Sequence, residues 1–236
     1  MKTYKTSLIL IFLLLGISPW AFSALPGMSS KHLRLVKDLM NNNLAYSQDA
    51  TTTNIIEWEE EIVDSLRQKK DYRNMFLMKQ MAVYAYSLQA KISEALKKAD
   101  AMMDEARLMK YNIGISLSYQ ALGDVYLNAG MRPEAVEKYE KAMKTLQATP
   151  HAEKIQERIF IQLVPTLIKL KRMDEAKAYL EHMSEICESK CLSPFLLYAY
   201  HAYYYLRNND LSKAREYIDE AIKINNRTPS HFYDNI

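Results

Sequence analysis

The sequence predicts an all-α solenoid of antiparallel helix pairs, and three observations carry that prediction. From Asp71 to Asn225 apolar residues recur at helical spacing, with almost no alternation of period two. The breaks between these stretches are short and polar, and five glycines in 236 residues leave no low-complexity linker to divide the array into domains. One stretch, Ser116–Met143, sets Leu122, Gly123 and Tyr126 on one helix and Ala135, Tyr139 and Ala142 on the next, joined by Asn128-Ala129-Gly130, and imperfect copies of it flank it on both sides.

The chain opens with an export signal over residues 1–23. Lys2 and Lys5 give a positive start, Leu8–Ile17 is an apolar run, and Ala21-Phe22-Ser23 offers small residues where a signal peptidase reads. Cleavage after Ser23 is expected, which places the mature chain in the periplasm or outside the cell. An uncleaved anchor is the competing reading, against which stand Pro19 and a length below the ~20 residues of a spanning helix. No cysteine directly follows the run, which argues against a lipoprotein. Without its two lysines, the mature chain has 29 basic and 28 acidic residues, so net charge recruits neither nucleic acid nor an anionic membrane. No later apolar run is long enough to span a bilayer.

Residues 24–70 read as an N-terminal helical cap or a degenerate repeat. Ser29-Ser30 precede Leu33, Val36, Leu39 and Met40 at helical spacing, and Asn41-Asn42-Asn43 weakens the helical pattern at its C-terminal end. Thr51-Thr52-Thr53 offers a cap for a helix carrying Ile55, Trp58, Ile62 and Leu66. The acid run Glu57, Glu59, Glu60, Glu61 reads as a solvated helix face near a positive helix end rather than as an acid-base or metal site.

Residues 71–225 hold the array, about four helix pairs. The expected helices span 71–90, 92–109, 112–128, 132–148, 152–170, 173–188, 194–208 and 211–225. Residues 226–236 form a tail in which Thr228–Tyr233 begins a helix that stops at once; either it folds back as a partial cap or the array is cut short.

The stretch Ser116–Met143 resembles a tetratricopeptide repeat. That motif asks for Leu and Gly one turn before an aromatic, then Ala, an aromatic and Ala on the next helix, and Leu122, Gly123, Tyr126, Ala135, Tyr139 and Ala142 match it. Tyr119 stands where a larger aromatic is usual, and Pro150 lies near the expected terminal proline. Small residues at Gly123 and Ala135 let two helices approach to about 8–10 Å, with Tyr126 and Tyr139 filling the space beside them. The copies lie at Ser93-Glu94-Ala95-Leu96, at Asp174-Glu175-Ala176-Lys177 and at Ser212-Lys213-Ala214-Arg215, at offsets of 40, 41 and 38. These exceed the family's usual period of about 34, which longer second helices or longer loops would explain. The resemblance implies a right-handed superhelix whose concave face takes an extended peptide or a partner helix.

On the family register the concave positions are Gln80, Tyr84, Gln120, Asp124, Arg158, Ile161, Leu196 and Tyr203. The Lys and Asn combination with which some members clamp a C-terminal carboxylate is not visible. Tyr198 and Tyr205 take packing positions, and His201 falls on the register of Leu122, as a satisfied interior histidine. Cys187 and Cys191 are the only cysteines, and in an exported chain they form a candidate disulfide; a zinc site would need further ligands, with His182 and His201 nearest. No metal or cofactor is expected. There is no Gly-rich phosphate loop, no His-Glu-x-x-His and no Gly-x-Ser-x-Gly, so catalysis is not expected either.

The expected function is therefore an exported, non-catalytic scaffold for a protein or peptide partner, with no nucleic acid and no membrane span after cleavage. A signal peptide leading directly into long Tyr-rich repeats resembles the periplasmic sensory region of Bacteroidota-type membrane regulators, of which this chain would be a free-standing or truncated relative. The alternative from another class is a small-molecule sensor holding its ligand between helices near Tyr198–Tyr205.

Overall fold

The apolar stripes resolve into helices of 14 to 21 residues, five of them 17 long, and most of the described turns between them share one shape. A computed structural model describes residues 48–190 and 194–227; the signal segment, the first half of the 24–70 region and the tail from residue 228 lie outside them. Its helices are α1 Gln48–Gln68, α2 Tyr72–Leu88, α3 Ile92–Leu108, α4 Asn112–Asn128, α5 Arg132–Leu146, α6 Glu153–Lys169, α7 Met173–Lys190, α8 Pro194–Arg207 and α9 Leu211–Arg227. No strand occurs among the described residues. The fold is an all-α helical repeat solenoid.

The turns explain the period. Lys70, Ala90, Lys110 and Gly130 adopt left-handed φ of 58°, 58°, 51° and 80° at intervals of twenty residues, and Lys171 and Asn209 repeat the geometry at 61°. After each, one N–H reaches back to a carbonyl five residues earlier: Asp71 to Leu66 at 2.9 Å, Lys91 to Tyr86 at 3.0 Å, Tyr111 to Ala106 at 2.9 Å and Met131 to Tyr126 at 2.9 Å. This is the Schellman closure of a helix end, and it reverses the chain in three residues. Helices α2, α3 and α4 are each 17 residues long, so two helices and two such turns make 40. The excess over the usual period lies in the helices and not in longer loops.

Each helix packs antiparallel on its neighbours, and α2, α4, α6 and α8 also pack successively on one another. Among the described residues α3, α5, α7 and α9 make no comparable row of contacts. The even helices are therefore the inner, concave side. Alanines make the close approaches, with Ala95, Ala99, Ala121, Ala135, Ala142 and Ala176 wholly buried. Gly123 is required for the same reason: a Cβ there would lie 2.5 Å from Cε1 of Tyr139.

Helix α1 corrects the threonine cap expected at residues 51–53, because the helix begins at Gln48 and runs through them. It joins α2 by the common turn and buries Ile62, Val63 and Leu66 in the continuous core. Of its acid run, Glu57, Glu60 and Glu61 are exposed. Glu59 departs from the expected solvated face: it is buried and pairs with Lys98 of α3.

Candidate functional site

The inner row positions the concave candidates by simple periodicity. Gln80 and Tyr84 lie one turn apart on α2, and Gln120 and Asp124 do so on α4; Arg158 and Ile161 share a face of α6, and Leu196 and Tyr203 share one of α8. Three of the eight join in one hydrogen-bonded chain. Gln80 Nε2 donates to Asp124 Oδ2 at 2.9 Å, and an Arg158 guanidinium nitrogen donates to Gln80 Oε1 at 2.8 Å. The Tyr139 hydroxyl, from α5, donates to Asp124 Oδ1 at 2.7 Å. Three consecutive inner helices and one outer helix are thus fixed in register through polar atoms.

Burial separates these residues from an open groove. Gln80, Gln120 and Asp124 are 4%, 4% and 5% exposed, so they form the sealed floor of the concave face rather than its contact surface. Ile161 is buried too, whereas Tyr84, Leu196 and Tyr203 are half-buried and remain reachable. Arg158 is half-buried overall, with its Nε sealed from solvent. The Gln120 Oε1 atom is a buried acceptor that meets no donor among the described residues. Beside the floor, Asn128 Nδ2 donates to Ser87 Oγ at 2.7 Å and ties α4 to α2.

Desolvation sets the electrostatics. Burial raises the Asp124 carboxyl to about 6, against the opposing hydrogen bonds of Tyr139 and Gln80 and the charge of Arg158. Burial likewise pushes the Tyr84 phenol up to about 12, and the Asp124 carboxylate adds to the shift. For Arg158 burial lowers the guanidinium pKa, Asp124 opposes it, and Arg73 acts in the same sense as burial.

Of the expected packing set, Gly123, Ala135, Tyr139 and Ala142 are buried in the α4–α5 contact. Leu122 and Tyr126 are only half-buried, and Tyr126 lies under Lys138, whose Nζ is 5.8 Å from the ring centroid. Tyr139 does more than fill space. Its hydroxyl was not readable from the repeat register, which reports size and not hydrogen bonding.

A second feature escaped the register. Pro165 sits inside α6 and supplies no N–H to the carbonyl of Ile161, four residues back. The Tyr200 hydroxyl of α8 donates to that carbonyl at 3.1 Å and takes the missing place. A proline within a helical pattern was the signal for it.

Two tyrosines of α8, Tyr198 and Tyr205, are occupied by α9. Tyr217 stacks on His201 at 4.6 Å and on Tyr205 at 5.4 Å and meets Tyr198 at 5.9 Å. His201 is half-buried, with Nε2 3.2 Å from Ser184 Oγ, and burial lowers its pKa. Cys187 lies in α7, but its side chain and the whole of Cys191 fall outside the described residues, so the candidate pair is not placed. Among the described residues no group of three His, Cys, Asp or Glu could hold a metal, and no helix is long and apolar enough to cross a membrane.

A tetratricopeptide repeat family model matches residues 197–228, which takes in most of α8 and all of α9. With the all-helical array of paired helices, that match fits a tetratricopeptide-repeat protein. No curated protein matches the chain.

Proposed function

We propose that this tetratricopeptide-type array is an exported, non-catalytic scaffold that binds a protein segment along the concave face of α2, α4, α6 and α8. One observation carries the reading: the Gln80–Asp124–Arg158 chain, anchored by Tyr139, fixes three successive inner helices before any partner arrives. A face held this way loses little conformational entropy on binding. Tyr84 on α2 and Leu196 and Tyr203 on α8 are half-buried and supply side chains a partner can touch. Export rests on Lys2, Lys5, the apolar run and Ala21-Phe22-Ser23, and a sensory role beside the inner membrane rests on the resemblance to periplasmic sensor regions.

The test is selection of a random peptide library displayed on phage against the mature chain, with Tyr84→Ala and Tyr203→Ala as controls of place. Recovered peptides should bind each variant more weakly than the parent chain. Peptides that bind the variants and the parent equally would put the contact elsewhere and overturn the concave assignment.

A further inference from the structure

The last helix leaves open a stripe that its predecessors bury. Ala95, Ala135, Ala176 and Ala214 occupy equivalent positions of α3, α5, α7 and α9. Four residues further on stand Ala99, Tyr139 and Leu180, all buried, and Ile218, which is 44% exposed. Eight residues further on, Met103 of α3 and Met143 of α5 are buried, whereas Ile222 is 45% exposed. The order of the array explains the difference. Helix α4 packs on α3, α6 on α5 and α8 on α7, but α9 packs on α8 and meets no further inner helix among the described residues. Leu211, 64% exposed, carries the stripe to the start of α9.

The spacing of the stripe says what fits it. Leu211, Arg215, Ile218 and Ile222 are separated by four, three and four residues, the spacing of a coiled-coil seam. Read backwards the series is the same, so the stripe complements a second α9 laid antiparallel to it. Leu211 then faces Ile222 of the second copy, and Arg215 faces Ile218 of the second copy, next to Asp219 of the second copy.

The charges agree with that pairing. Lys213 and Lys223 have partners close in sequence, Asp210 and Glu220. Arg215 and Asp219 are exposed and take part in no ion pair among the described residues. About a two-fold axis each Arg215 meets the Asp219 of the other copy, so one contact occurs twice.

We infer that the open stripe of α9 is a self-association face, on which a second copy of this chain docks α9 to α9 as an antiparallel two-fold pair. The face is small, so the dimer is weak and dissociates at concentrations on the order of micromolar or above. It lies apart from the concave side and does not depend on the peptide-binding reading.

The experiment is sedimentation velocity of the mature chain over a concentration series. The parent should pass from one chain to two, and Ile218→Asp should weaken the association about tenfold or more. Arg215→Asp and Asp219→Arg should each weaken it by themselves, since each sets like charges at both contacts. An equimolar mixture of those two variants should recover it, because their mixed dimer again sets opposite charges at both contacts. Recovery also shows that both variants are folded. A parent that stays a single chain at about 1 mM, variants that associate like the parent, a mixture no stronger than its components, or growth past two chains would overturn the two-fold face. If the parent were monomeric and removal of residues 228–236 made it associate, the tail would be what covers α9, and the second copy would be overturned as its occupant.

Discussion

The hydroxyl of Tyr139 lies 2.7 Å from Oδ1 of Asp124, so the ring that fills the space against Gly123 also holds the carboxylate at the centre of the concave floor. Packing within the pair α4–α5 and the register of the inner helices are therefore one interaction. Tyr139→Phe keeps the ring and removes the donor. A buried carboxylate stripped of one hydrogen bond costs about 1–3 kcal/mol, and the cost should be larger at pH 8 than at pH 5, where the carboxyl is partly protonated and needs fewer donors. Urea unfolding at the two pH values checks it, and equal losses at both would mean that the hydroxyl does not sense the carboxylate's charge.

Asp124 itself should make stability fall with rising pH. Its carboxyl stands at about 6 in the fold, raised from 3.8, so the folded state binds its proton more tightly than the unfolded chain does. The stabilisation from that tighter protonation is complete below the unfolded value and is lost as pH rises through about 6. The span amounts to something on the order of 3 kcal/mol. Other groups titrate over the same range, so the readout is the difference in unfolding free energy between the parent and Asp124→Asn. That difference should shift against the parent between about pH 4 and pH 7. A flat difference would show that Asp124 titrates normally.

Gly123→Ala tests the close approach. Alanine is worth about 1 kcal/mol over glycine in a helix interior, but its Cβ would meet the Tyr139 ring at 2.5 Å and 2.7 Å. That ring is pinned at its far end by Asp124, so it cannot swing away, and overpacking of this kind costs about 1–3 kcal/mol or more. A lower melting temperature is expected in the parent background. In a Tyr139→Leu background, where the clash is gone, the same change should stabilise; a loss of equal size in both backgrounds would place the constraint elsewhere.

How much of this was legible depends on the range of each interaction. All the expected spans from residue 71 onward match the observed helix ends to within two residues, and the C-terminal ends of α2, α5, α7 and α9 reach that limit. The agreement comes from local signals, the apolar stripes and the alanines Ala95, Ala135, Ala176 and Ala214. The register also grouped Gln80, Asp124 and Arg158 on one face. It could not tell an open face from a sealed floor, since the bond from Arg158 to Gln80 joins residues 78 apart in the chain. The 40-residue offset was visible in the sequence but its cause was not, because Lys70, Ala90 and Lys110 take left-handed turns that glycine normally marks.

Those turns give a prediction of their own. Lys110 has φ of 51° although a side chain disfavours that region by about 1 kcal/mol or more, so Lys110→Gly should raise stability by roughly that amount. Gly130, at 80°, should respond oppositely, with Gly130→Ala losing about as much. Nothing lies within 4 Å of a Cβ at Gly130, so the loss would report backbone conformation alone. Thermal unfolding of both variants decides it, and opposite signs are required.

The Tyr200 hydroxyl and Pro165 should be coupled through a carbonyl that neither owns. Ile161 is 9% exposed, so its carbonyl oxygen has little access to water, and the residue that would normally donate to it is Pro165. Tyr200→Phe removes the substitute donor at 3.1 Å and leaves a buried acceptor unmet, at a cost of about 1–3 kcal/mol. Pro165→Ala restores a backbone N–H one turn from that oxygen. In the Pro165→Ala background, then, Tyr200→Phe should cost at least about 1 kcal/mol less than in the parent, which a double-mutant cycle of urea unfolding measures. If the two changes were additive, Tyr200 would be held by its ring packing against Phe160, 5.7 Å away edge to face, and its hydroxyl would contribute nothing to the proline-bearing helix.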